Sequence, residues 1–368
     1  MKIAKVQMLL NFFIGFLFST SSIIVYIDTD FSNLFLPCIA SALLLKLVSM
    51  GCASAVSASS NRMHTSLFII FTFIFFLFSL SNITGFYDYI NLRDSILFLI
   101  ILILVIPEHQ KYYFNNELSM LLGLATPLAA VGLISLCIVP FSIPYSGIMS
   151  NPNSMGILMS FLFFTLLIAM DYLKEKRNRF LTLIGGGLIV ASSFFVLSSL
   201  SRTSIISSLL VLLLFQMLWG VRLRFLALVC AFSIIIYILG ADLIHESFEG
   251  VMNKVENNSN MVSGRDVIFE YYSNKVFLFG GAYYDGLYPV DNTALKLSMK
   301  YGLIPVLVLY LVITYTLIVN IINRSSWINV ICVVFFIMVS MMETIYYSVP
   351  FFIFLYYILA ERRSGFDS

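Results

Sequence analysis

The sequence predicts an all-α polytopic integral membrane protein, and three observations carry that prediction. Of its 368 residues, 60% are hydrophobic and 11% charged, with a mean hydropathy of +0.97; soluble globular chains carry roughly 25% charged residues. The apolar residues fall in runs of the length a helix needs to cross a bilayer, about 20 residues. Lysine and arginine gather in alternate connections between those runs, as in a chain threaded back and forth through a membrane. A net charge of +2 leaves no basic surface for a nucleic-acid partner.

About twelve spans follow on the length criterion. The first, 6–27, comes after Lys2 and Lys5 and reaches Ile27 without a small-residue cleavage site, so it reads as an uncleaved span. The second, 34–57, carries Lys46 as the only clear mid-span charge; 66–84 and 92–107 follow, the latter opening on Arg93-Asp94, which can pair locally. Spans 118–140 and 154–172 flank a turn without lysine or arginine, and 180–198 contains Gly185-Gly186-Gly187, a stretch suited to close helix packing. Span 203–219 begins almost without a loop after Arg202. Then come 225–241, the polar loop 242–291, and spans 301–322, 327–343 and the short 348–360. The whole chain, 1–368, is expected to form a single transmembrane domain with that one large loop. The five cysteines lie in apolar runs without paired spacing and read as small buried hydrophobes.

Orientation follows from charge. With the N-terminus inside, the cytoplasmic segments hold 13 of the 21 basic residues, including Lys174, Lys176, Arg177 and Arg179 in one connection. Both termini are therefore expected in the cytoplasm and the long loop outside. Arg202 and Arg265 then lie on the side where arginine is depleted, so topology does not explain them.

Three constellations on that side can carry chemistry. In Ser198-Ser199-Leu200-Ser201-Arg202-Thr203-Ser204, the arginine sits at the membrane boundary. It either snorkels to lipid phosphates or points into a cavity to bind an anion, which its planar fork does bidentately. Ser263-Gly264-Arg265-Asp266 reads as a helix start, with Ser263 as a possible cap, of an amphipathic helix resting on the membrane surface or presenting its arginine. Asp291-Asn292, Lys296 and Lys300 follow Gly280-Gly281; Asn292, Lys296 and Lys300 are four apart and share a helix face. That segment lies in the interface or runs on into the tenth span. Asp28-Thr29-Asp30 and Glu343 are weaker signals. No zinc-protease, serine-hydrolase or nucleotide-binding signature is present.

Taken in order, Asn151-Pro152-Asn153-Ser154-Met155-Gly156, Ser201-Arg202-Thr203, Ser263-Gly264-Arg265, Phe279-Gly280-Gly281 and Asp291-Asn292 with Leu295 ahead of Tyr301-Gly302 resemble the superfamily of bacterial O-antigen polymerases and O-antigen ligases. The resemblance covers roughly residues 140–310. It implies a GT-C-like glycosyltransferase architecture in the bacterial inner membrane with the active face periplasmic. Ligases typically have His-Asn where this chain has Asp291-Asn292, so the pattern is more similar to the repeat-unit polymerases.

What the resemblance implies is concrete. The substrate is an undecaprenyl-diphosphate-linked oligosaccharide, met in membrane lipid, and the pathway's flippase and chain-length regulator are possible partners. Arg202 and Arg265, with Lys296, are expected to clamp the diphosphate. Asp291 is expected to orient or deprotonate the acceptor, unless it only caps a helix, with Asn292 and Glu343 as further substrate ligands. No cofactor and no metal are implied, and transfer is expected to invert the donor carbon. An O-antigen ligase and a lipid-linked oligosaccharide flippase are the alternatives.

Overall fold

A computed structural model describes residues 2–27, 33–54, 96–97, 100–101, 103–105, 113–149, 151–175, 179–219, 265–278, 290, 292–323, 327–343, 345 and 348–353. The expected spans 66–84 and 225–241, most of 92–107 and the end of 348–360 lie outside the described residues. So do Asp28, Asp30, Ser263, Gly264, Gly280, Gly281 and Asp291.

Among the described residues there is no strand. The helices are α1 (Lys2–Ile24), α2 (Phe35–Ser54), α3 (Tyr113–Ile138), α4 (Pro152–Glu175), α5 (Arg179–Ser198), α6 (Arg202–Trp219), α7 (Arg265–Ser273), α8 (Thr293–Tyr301), α9 (Leu303–Asn323) and α10 (Trp327–Met342). Among the described residues, four stretches are long and apolar enough to cross a membrane: Lys5–Ile24, Asn116–Ile138, Pro152–Leu173 and Phe180–Ser198. Shorter apolar stretches lie in α2, α6, α9 and α10. The chain is an α-helical membrane-embedded protein.

Contacts divide it into two compact units, one of residues 1–56 and 108–259, the other of 57–107 and 260–368. In the first, α1 packs on α2 and α3, and α4 packs on α3, α5 and α6. α4 is apolar all round and almost wholly buried, as expected of a central helix. The α1–α3 crossing brings backbone against backbone. A Cβ on Gly123 would lie 2.1 Å from the Phe12 carbonyl oxygen, and one on Gly15 would lie 2.4 Å from that of Met120. Small residues allow this approach where no hydrophobic effect drives helices together. Hydroxyls inside these helices are satisfied locally, as Ser22 Oγ donates to Phe18 O and Thr165 Oγ1 to Phe161 O.

Two expectations need correction. In the glycine triplet only Gly185 is a packing position, against Met170; a Cβ on Gly186 or Gly187 meets nothing within 4 Å among the described residues. The reason is that α5 turns most of its surface outward, with Leu183 76% exposed. Of the described cysteines Cys332 is buried, but Cys38 is half-buried and Cys137 exposed, because an apolar residue in a membrane helix can equally face lipid. Lys46, the mid-span charge, is buried in α2. α3 starts at Tyr113, before the apolar run begins, and takes Glu117 with it, fully buried.

In the second unit, α8 packs on α7, α9 and α10, and α9 packs on α10. The polar segment before the tenth span does not continue into it. α8 closes at Tyr301 as the Gly302 N–H donates to Ser298 O at 2.9 Å, and Gly302 adopts φ +96°, a conformation that favours glycine. α9 restarts at Leu303.

Candidate functional site

The first group of candidate residues is built on the turn between α5 and α6. α5 ends at Ser198, Ser199 and Leu200 form the turn, and Arg202 is the first residue of α6. Leu200 has φ +53°, the left-handed C-cap conformation that glycine usually fills. The serines are spent on the turn itself. Ser198 Oγ donates to Phe195 O, Ser199 Oγ to Val196 O, and the Ser201 N–H to Ser199 Oγ; Ser204 Oγ donates to Ser201 Oγ at 2.8 Å. All four serines are buried, while Arg202 is half-buried.

Two motifs separated in sequence meet here. Asn151 caps α4 by accepting from the Ser154 N–H at 2.9 Å. One turn on, Gly156 lies against the α5–α6 turn so closely that a Cβ would fall 2.3 Å from Ser199 Oγ and 2.7 Å from Ser201 Cβ. The first turns of α4 and α6 are therefore side by side, with Arg202 at the head of one of them. Helix N-termini carry unsatisfied N–H donors and partial positive charge, so this end of the unit has the chemistry of an anion site. The 139–149 segment covers the neighbouring end of α5. The Tyr145 N–H donates to Ser198 O at 2.9 Å, and its ring stacks between Phe141 and Phe195 at 5.0 and 5.9 Å. The Tyr145 hydroxyl is fully buried without a hydrogen-bond partner among the described residues. Burial first, then the nearby Cys137 thiol, pushes its pKa up.

The second group is built where α8 meets the end of α10. Asn292, not Asp291, is the N-cap of α8: its Oδ1 accepts from the Leu295 N–H at 2.9 Å. The other end of the same carboxamide reaches α10, Nδ2 donating to Met341 O at 2.7 Å. Thr293, fully buried, adds two more links: its hydroxyl donates to Glu343 O and accepts from the Ile345 N–H at 2.9 Å. Two adjacent side chains thus cap one helix and tie down the break after another.

This clasp brings Glu343 to the start of the helix on which Asn292 and Lys296 were already expected to share a face. Asn292 and Glu343 are joined through Thr293, and Lys296, half-buried, stands one turn further along α8. Arg265 is the first residue of α7, which packs on α8 through Tyr272, Leu295 and Met299. Arg202 belongs to the first unit; Arg265, Asn292, Lys296 and Glu343 belong to the second. Thr293 was not among the sequence-derived candidates. Its partners lie 50 and 52 residues away, so no local pattern marks it. No family model, no curated protein and no solved structure matches this chain.

Proposed function

We propose that the chain is a repeat-unit polymerase. On this reading it joins undecaprenyl-diphosphate-linked oligosaccharides into a surface polysaccharide such as O-antigen, at the periplasmic face of a bacterial inner membrane. The observation that carries the reading is the contact between the 151–156 motif and the Arg202 turn. The sequence resemblance names these two motifs separately; an arginine beside two helix N-termini suits a departing diphosphate. The finer architecture belongs to the same proposal: about twelve spans, a GT-C-like arrangement, and both termini in the cytoplasm.

In the proposed reaction the bond between the donor's anomeric carbon and the lipid diphosphate oxygen breaks. A bond forms from that carbon to an acceptor hydroxyl of the incoming repeat, with inversion. The electron pair leaves on the diphosphate, where Arg202 is proposed to stabilise it. The hydroxyl proton passes to a carboxylate, Asp291 first and Glu343 as the alternative. The clasp supports a role for Glu343 by fixing its backbone beside the first turn of α8.

Deletion of the chain followed by gel analysis of surface glycan tests the reading. Loss of the ladder with a single repeat retained is the polymerase outcome. One observation favours a second reading, a lipid-linked oligosaccharide flippase: Lys46 and Glu117 are buried ionisable side chains inside helices of the first unit, and such residues mark transport paths. Loss of every repeat, in cells whose ligase is intact, is the flippase outcome. A ligase would leave the lipid-linked polymer intact and unattached.

A further inference from the structure

The segment after α7 carries an apolar surface that the proposed reaction does not use. Phe277 and Leu278 are 59% and 63% exposed. Scattered exposed apolar residues are ordinary, but the backbone fixes where these two lie. The Leu303 N–H donates to Phe277 O at 2.9 Å and the Ile304 N–H to Leu278 O at 3.1 Å. Those are the first two donors of α9, which have no partner inside the helix. Water satisfies such donors at no cost, whereas at the edge of hydrocarbon an unmade bond costs several kcal/mol. Phe277 and Leu278 are therefore pinned at the depth where α9 begins.

α9 itself is built for lipid. Its 21 residues contain no charge and span about 30 Å, the thickness of the hydrocarbon core. Leu303, Leu307, Leu311, Tyr315 and Ile318 are exposed at three- and four-residue spacing, which makes one continuous outward stripe. The stripe starts at Leu303, the residue bonded to Phe277. On the other side of the pair the chemistry changes: Ser273 and Asn274 are exposed, and the Lys275 ammonium lies 3.7 Å above the Tyr271 ring. Within a few residues the chain passes from polar groups and a cation on an aromatic ring to bare apolar side chains. That is the order of a headgroup layer followed by acyl chains.

We propose that Lys275–Leu278 is a lipid anchor. Phe277 and Leu278 lie among the phospholipid acyl chains of the leaflet at which α9 starts, and Tyr271 and Lys275 lie at headgroup level. α7 is bound to α8 through Tyr272, so the anchor holds both short helices at the membrane surface. It stands whether or not the chain transfers sugars.

The test uses the full-length protein in phosphatidylethanolamine–phosphatidylglycerol nanodiscs. Asn274→Cys, Phe277→Cys and Leu278→Cys are reacted with a membrane-impermeant maleimide, and the parent protein reports the native cysteines. Positions 277 and 278 are expected to react at least about tenfold more slowly than 274, since the reagent is excluded from hydrocarbon. Phe277→Trp is then read against the parent, which has two tryptophans, in acyl-brominated phospholipid. The added emission is expected to be quenched by about half or more, as acyl burial requires. Equal reaction rates at 274, 277 and 278 overturn the proposal. Protection without bromine quenching overturns it too, because protein rather than phospholipid then covers the site.

Discussion

Replacing Thr293 by valine removes one hydroxyl and almost no volume, yet it cuts two links that join residues 50 and 52 positions apart in the second unit. In the native chain that hydroxyl donates to Glu343 O and accepts from the Ile345 N–H. Thr293 and Ile345 are fully buried, so water does not replace the lost partner of the Ile345 amide. An orphaned buried donor or acceptor costs about 1–3 kcal/mol, and Thr293→Val orphans the amide and weakens the carbonyl's environment as well. The expected loss is about 2–4 kcal/mol on that basis. Thr293→Ser keeps both bonds and removes one methyl, costing about 1 kcal/mol. Hydrogen exchange of the peptide containing Ile345, followed by mass spectrometry in nanodiscs, reads the difference locally. The valine variant is expected to exchange that amide roughly 30-fold faster or more, and the serine variant within about fivefold of the parent. If valine and serine exchange alike, the clasp does not hold the α10 end, and the support it lends to Glu343 falls.

Other outcomes follow from the first unit. Gly123→Ala puts a methyl into the Phe12 backbone and should lower thermal stability by about 1–3 kcal/mol, whereas Gly186→Ala and Gly187→Ala should be neutral or raise it by up to about 1 kcal/mol; a common response at all three refutes the packing. Gly156→Ala should unsettle the Arg202 turn through the same kind of clash, seen as faster exchange over 199–204. Leu200→Gly should be tolerated and Leu200→Ile should destabilise, because a β-branched residue is poorest at positive φ; the reverse order in a melt contradicts the turn geometry. Tyr145→Phe removes a buried hydroxyl without a described partner and should leave the melting temperature unchanged or raised, and a clear drop would show that the hydroxyl is bonded.

Much of the membrane-embedded architecture was legible because it depends on one variable. A run of apolar residues long enough to cross hydrocarbon must be helical to satisfy its own backbone, so described helices such as Arg179–Ser198 and Leu303–Asn323 fall close to the runs 180–198 and 301–322. Capping is local, yet the sequence offers Asp291 as the cap where Asn292 caps α8, so that helix start was legible only to within a residue. Depth and facing were less legible. Glu117 precedes its apolar run but not its helix, and Gly185 looks identical to Gly186 and Gly187 until Met170 is beside it. The links of Thr293 and the Gly156–Ser199 contact were not legible, because each joins residues more than 40 positions apart and leaves no periodic trace. Arg202 stood out for a different reason: it violates the charge distribution that explains most other basic residues.

The most direct measurement uses the purified chain in nanodiscs, supplied with an undecaprenyl-diphosphate-linked repeat and a metal chelator. A glycan ladder that grows as undecaprenyl diphosphate is released is the predicted result, with Arg202→Ala slowing it about 100-fold or more, as loss of a charge-stabilising donor does. Contradiction would be the absence of any ladder from folded protein, or a ladder that Arg202→Ala leaves unchanged.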